Sequence, residues 1–112
     1  MDSSANKLAS VYKTIPLVGN KFQKERPSKL DKEFMLIHED NNINDPNAIA
    51  VFSKRTDNTG KFNLVKLGYI SKNHNTDKMF EKDNLDNIVI KSIIRSAKKN
   101  EDDCYYYYLV IE

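Results

Sequence analysis

Lys21, Phe22, Tyr69 and Lys72 interleave cations with aromatic rings. A single nucleic-acid strand needs that combination: ammonium groups neutralise phosphates, and ring faces stack on bases at about 1–3 kcal/mol each. Phe22 would equally suit a hydrophobic core. Asp45 stands before Pro46 in Asp40–Asn47 (DNNINDPN), the densest turn-forming run of the chain. Its carboxylate can accept backbone N–H bonds within an Asx turn and still contact a ligand.

Catalytic and metal chemistry are poorly represented. There is no Gly-rich phosphate loop, no GxSxG elbow and no His pair at metal-binding spacing, and the chain has only three glycines, so no enzyme and no cofactor is expected. His38 and His74 are far apart in sequence and read as surface or satisfied histidines. Glu39, Asp40 and Asp45 lack the closing Glu of a calcium loop, so no metal is expected. Cys104, the one cysteine, excludes an internal disulfide, and its acidic neighbours Glu101, Asp102 and Asp103 disfavour a reactive thiolate. Tyr105–Tyr108 is tempting as a stacking platform, but strand alternation sends two rings inward and two outward, and β-propensity alone accounts for the run.

With 112 residues, 39% hydrophobic and 30% charged, the chain has the length and apolar content of one folded domain. The net charge of +2 argues against a protein that coats nucleic acid, yet the charge is uneven. Asn20–Lys32 carries five basic and two acidic residues, Lys61–Lys72 three basic and no acidic, and Lys91–Lys99 four basic and no acidic. Brought together they would form a basic face; kept apart they are solvated edges. No run approaches the about 18 apolar residues of a membrane span, and Met1–Ser10 has no signal-like pattern. The expectation is an intracellular protein, cytoplasmic or, in a eukaryotic host, nuclear, with no membrane partner.

Six strand-like runs are expected: Thr14–Val18, Glu33–Glu39, Ala48–Ser53, Phe62–Ile70, Ile88–Ile94 and Tyr105–Ile111. The turn Asp57–Lys61 should pair the third with the fourth antiparallel, and Lys98–Asp103 should join the last two. Asn75 can cap a short helix reaching Asp83 that buries Met79 and Phe80. Residues 1–13 read as a loosely held arm and residues 14–112 as the domain. With no βαβ rhythm, the fold class is mainly β: a small OB-like antiparallel β-barrel with one or two short helices, and a core containing Ile15, Leu36, Ile49, Val51, Ile70 and Ile90.

Three motifs sharpen the reading: Val18-Gly19-Asn20-Lys21-Phe22, Asp45-Pro46-Asn47-Ala48-Ile49-Ala50-Val51 and Gly68-Tyr69-Ile70-Ser71-Lys72. In this order, over roughly Ile15–Ile94, the chain resembles the HIRAN domain, a small module of helicase-like proteins that also occurs free-standing. The resemblance implies an OB-like barrel that holds single-stranded DNA and, in the helicase-like member, captures a free 3′-hydroxyl end. Lys21 and Lys72 would then neutralise phosphates and Phe22 would stack on a base. Asn42 and Asp45 would line the end pocket, with Asp45 accepting the hydrogen bond of the terminal hydroxyl and Tyr69 beside the strand, and Asn47 counts among the nucleic-acid-binding residues. The family's aromatic before the central Asp is Asn44 here, and its second aromatic after the basic residue is Gln23.

The expected function is a non-enzymatic module for single-stranded DNA that works beside replication, repair or recombination proteins. The rival is a protein-interaction or inhibitory module that offers the tyrosine strand as an edge for β-augmentation.

Overall fold

The computed structural model describes residues 12–101 and 103–112. The strands are β1 (Lys13–Val18), β2 (Phe34–His38), β3 (Ile49–Thr56), β4 (Phe62–Ile70), β5 (Ile90–Lys99) and β6 (Tyr105–Ile111). They form one antiparallel sheet in the order β2-β3-β4-β1-β6-β5. The expected arm lies outside the described residues except for Tyr12 and Lys13, and Lys13 already belongs to β1.

Alternation builds the core. Ile49, Val51 and Ser53 of β3 face inward, as do Tyr107, Leu109 and Ile111 of β6, all at 9% exposure or less. All six residues expected in the core join one cluster with Leu17, Leu67, Phe80 and Leu85. Leu36 and Ile90 come from opposite edge strands, so the sheet must curl for both to reach the same cluster.

The curl stops short of a barrel. β2 and β5 remain edges, and β2 packs against the 3₁₀ turn Lys82–Asn87 instead of a sixth partner strand. The expected helix from Asn75 is replaced by two 3₁₀ turns, Lys78–Phe80 and Lys82–Asn87, which bury Phe80 and Leu85 and half-bury Met79. Asp83, Asn84, Asp86 and Asn87 are poor helix formers whose side chains compete for backbone hydrogen bonds. The tyrosine strand is not an edge either, since β6 is paired on both sides, by β1 and β5.

Two irregularities in β4 set the direction of its outer side chains and the spacing of its neighbours. Val51 faces Gly68 while Phe52 faces Lys66, so β4 carries Leu67 as an extra residue. The bulge reverses side-chain parity: Leu67 and Ile70 both point into the core, and Lys66 and Tyr69 share the outer face. Gly68 sits at φ +153°, and a Cβ there would stand 2.6 Å from the Val18 carbonyl oxygen. Only glycine lets β1 come this close to β4.

This packing sets two stability outcomes. Ile49→Ala should cost about 2–5 kcal/mol in urea unfolding, as a fully buried site does. Gly68→Ala should cost about 1–3 kcal/mol through overpacking although it adds one methyl at an apolar position. An unchanged urea midpoint for Gly68→Ala would show that β1 and β4 can part without loss.

Candidate nucleic-acid interface

The turn Asp40–Asn47 is knitted by its own side chains. Asn42 Oδ1 accepts the backbone N–H groups of Asn44 (2.9 Å) and Asp45 (3.0 Å), and Asp45 Oδ1 accepts that of Asn47 (2.9 Å). Asp45 Oδ2 accepts Asn75 Nδ2 at 2.8 Å, a contact that ties the turn to the segment after β4. Asn75 is therefore a cross-chain strut and not a helix cap. Its Oδ1 is buried without a donor, a cost of about 1–3 kcal/mol tolerated beside Asp45. The Asn47 N–H holds the Asp45 carboxyl below the usual carboxylate range; partial burial opposes this, and Asn75 and the Lys72 charge reinforce it. Asp45 is thus an anion at neutral pH.

Beside the turn lies a second network. Lys66 Nζ donates to Glu39 Oε2 (2.6 Å) and to the Tyr69 hydroxyl (3.2 Å), Tyr69 donates to Glu39 Oε1 (2.9 Å), and Asn42 Nδ2 donates to the same oxygen (3.1 Å). Burial pushes the Glu39 carboxyl up, but the hydrogen bonds from Lys66, Asn42 and Tyr69 and the Lys66 charge bring it below its ordinary value. The network fixes the Tyr69 ring at one end and the turn at the other.

Between them a pocket of about 250 Å³ opens, lined by Asn42, Asn44, Asp45, Tyr69 and Lys72 over an apolar floor of Val18, Ala48 and Ile70. Four of the expected site residues, Asn42, Asp45, Tyr69 and Lys72, thus converge. Asn47 does not line the pocket; its part is the backbone bond to Asp45. Lys21 and Phe22 do not line the pocket; they stand on the 3₁₀ turn Asn20–Phe22, which contacts β4, and a Cβ at the preceding Gly19 would lie 3.4 Å from the Tyr69 ring. Phe22 is 79% exposed, which removes the core role open to it, and the Lys21 ammonium lies 5.1 Å from its ring centroid.

The loop carrying Lys21 and Phe22 is clamped from below. The Asp31 carboxylate, with a 2% exposed side chain, accepts Arg55 Nε (2.8 Å) and Nη2 (3.0 Å), the Ser53 hydroxyl (2.7 Å) and the Ser28 N–H (2.8 Å). Arg55 also donates to the Arg26 carbonyl (2.7 Å). Burial alone would raise the Asp31 pKa; the donors of Arg55, Ser53 and Ser28 and the Arg55 charge outweigh it and lower it.

Lys66, Glu39 and Asn75 did not stand out from the sequence as parts of this site. For Lys66 the usable signal was Gly68, because a glycine inside a strand marks a bulge and hence a parity change. Glu39, Asp40 and Asp45 hold Lys66, Lys82 with His38, and Asn47 with Asn75 respectively, and no group of acidic, His or Cys side chains suited to a metal occurs among the described residues. No helix among them is long and apolar enough to cross a membrane. No family model, curated protein or solved structure matches the chain.

The clamp gives a pH signature. Folding lowers the Asp31 carboxyl, so its contribution is complete above the unfolded value of about 3.9 and is lost as pH falls through the folded one. Asp31→Asn should lose about 1.5–3 kcal/mol at pH 7 and show a flatter fall in melting temperature between about pH 5 and 2. Parallel pH profiles for the two proteins would contradict this.

Proposed function

We propose that the chain is a non-enzymatic module that binds single-stranded DNA, with the end of the strand in the Asn42–Asp45–Tyr69–Lys72 pocket, and that it acts beside replication, repair or recombination proteins. The observation that carries this reading is the convergence of those four side chains, from a turn and a strand end well separated in sequence, on one small cavity. An anionic acceptor, an aromatic face and an ammonium group there match a terminal hydroxyl, a base and a phosphate. Each Asp45 oxygen takes one hydrogen bond from the protein, which leaves acceptor capacity for a hydroxyl. Lys21 and the exposed Phe22 repeat the same pattern on the turn that contacts β4. The resemblance of the three motifs to the HIRAN domain supports the same function, and under it the curled open sheet is a relative of an OB-like barrel.

A protein-interaction role keeps one favourable observation. The outer face of β2–β3–β4 leaves Met35, Ile37, Phe62 and Leu64 exposed by more than a third. That face, and not the tyrosine strand, is where a protein partner would dock.

The pocket is tested by comparing fluorescent strands ending in a 3′-hydroxyl or a 3′-phosphate. The wild type should prefer the hydroxyl, because Asp45 repels a phosphate carrying nearly two charges. Asp45→Asn should shrink that preference and also lower the melting temperature modestly, because the amide keeps only one of the two oxygens that accept Asn47 and Asn75, so the ratio of the two affinities is the readout. Lys72→Ala should weaken both complexes and lower the salt slope by about 0.7. Equal binding of both ends, or of neither, would refute end capture.

A further inference from the structure

Two of the three basic segments meet across cavities that share no lining residue with the pocket. Asn20 and Arg26 face Arg95, Lys99 and Tyr105 across a cavity of about 270 Å³. A wider cavity of about 550 Å³ continues it between Pro27–Lys29 and Ile93–Ala97, and both cavities share Arg95 and Tyr107. Together they form one groove along the open edge strand β5, in the gap that a closed barrel would lack.

The groove's walls are cationic and its floor is aromatic. β5 and β6 set a cation opposite a tyrosine at two rungs, Arg95 with Tyr107 and Lys99 with Tyr105. The Arg95 guanidinium lies 4.2 Å from the Tyr105 ring centroid and the Lys99 ammonium 5.5 Å from the same centroid. Arg26 and Lys29 supply the opposite wall, and Arg26 is fixed there by donating to the Asn20 and Gln23 carbonyls. Among the described residues no carboxylate lines the wider cavity, and the narrower one is lined by Asp103, 3.4 Å from Lys99 and 85% exposed.

Groove and pocket are separated by one residue along the chain, since Val18 lines the pocket and Asn20 lines the groove. We infer that the groove carries the sugar-phosphate backbone of the same single strand beyond its end, with Arg95 and Lys99 on successive phosphates. This rests on the nucleic-acid reading of the pocket and extends it to a longer site. Cations set over tyrosine rings suit phosphates flanked by sugars and bases better than the carboxylates of an acidic peptide, which offer no stacking surface.

The test compares oligothymidylates of four and sixteen nucleotides, the span of strand lengths such folds hold. The wild type should bind the longer strand more tightly. Arg95→Gln with Lys99→Gln should leave the four-mer unchanged and weaken the sixteen-mer about 25-fold at 0.1 M salt, because two phosphate contacts at about 0.7 in salt slope each carry that factor between 1 M and 0.1 M. Lys29→Gln, an exposed change on the facing wall that spares the tyrosine stack, should move the same affinity in the same direction. If the four-mer binds and all three substitutions leave the sixteen-mer untouched, the groove assignment falls while the pocket stands. If the wild type binds neither strand, both fall. Competition by poly-glutamate as effective as by oligonucleotide would reassign the groove to an acidic protein.

Discussion

The close approach of β1 to β4 at Gly68 is the constraint on which the rest depends. With no side chain at that position, the Val18 carbonyl oxygen can lie 2.6 Å from where a Cβ would stand, and β1 can bridge the β2–β3–β4 half of the sheet to β6 and β5. The bulge beside it turns Tyr69 and Lys66 to one face, and from there they hold Glu39 and, through Asn42, the Asp40–Asn47 turn. A side chain at this crossing would push β1 away from β4 and strain both the core and the strand that carries Tyr69.

A second constraint governs the basic loop. Like charges repel, so the cation-bearing Asn20–Lys32 loop needs an anchor, and the buried Asp31 carboxylate supplies it. Asp31 takes four hydrogen bonds from Arg55, Ser53 and Ser28, which offsets its desolvation and leaves Lys21, Phe22, Arg26 and Lys29 on the loop above. The clamp thus serves both the Lys21–Phe22 turn and the cationic groove.

Much of this was legible in the sequence where local rules dominate. Alternation placed Ile49 and Val51 inside, turn chemistry placed Asp45 in a hydrogen-bonded turn, and Phe62–Ile70 and Tyr105–Ile111 have the bounds their patterns predict. Long-range choices were not legible. The Asp31–Arg55 pair joins residues with no periodic relation, and Asn75 prefers Asp45 over capping a helix. β5 runs on through the charged Arg95–Lys99 because an edge strand can face water. Closure is missing for a related reason, since β2 packs against the Lys82–Asn87 turn and not against β5.

The central claim is that the Asn42–Asp45–Tyr69–Lys72 pocket receives the end of a single strand. Amide chemical-shift mapping by NMR, with a short 3′-hydroxyl oligonucleotide titrated into the labelled protein, tests it most directly. Shifts should concentrate in Asn42–Ala48 and Tyr69–Lys72, with smaller ones at Lys21 and Phe22. Shifts confined to the outer face at Met35, Ile37 and Leu64, or none at all, would contradict it.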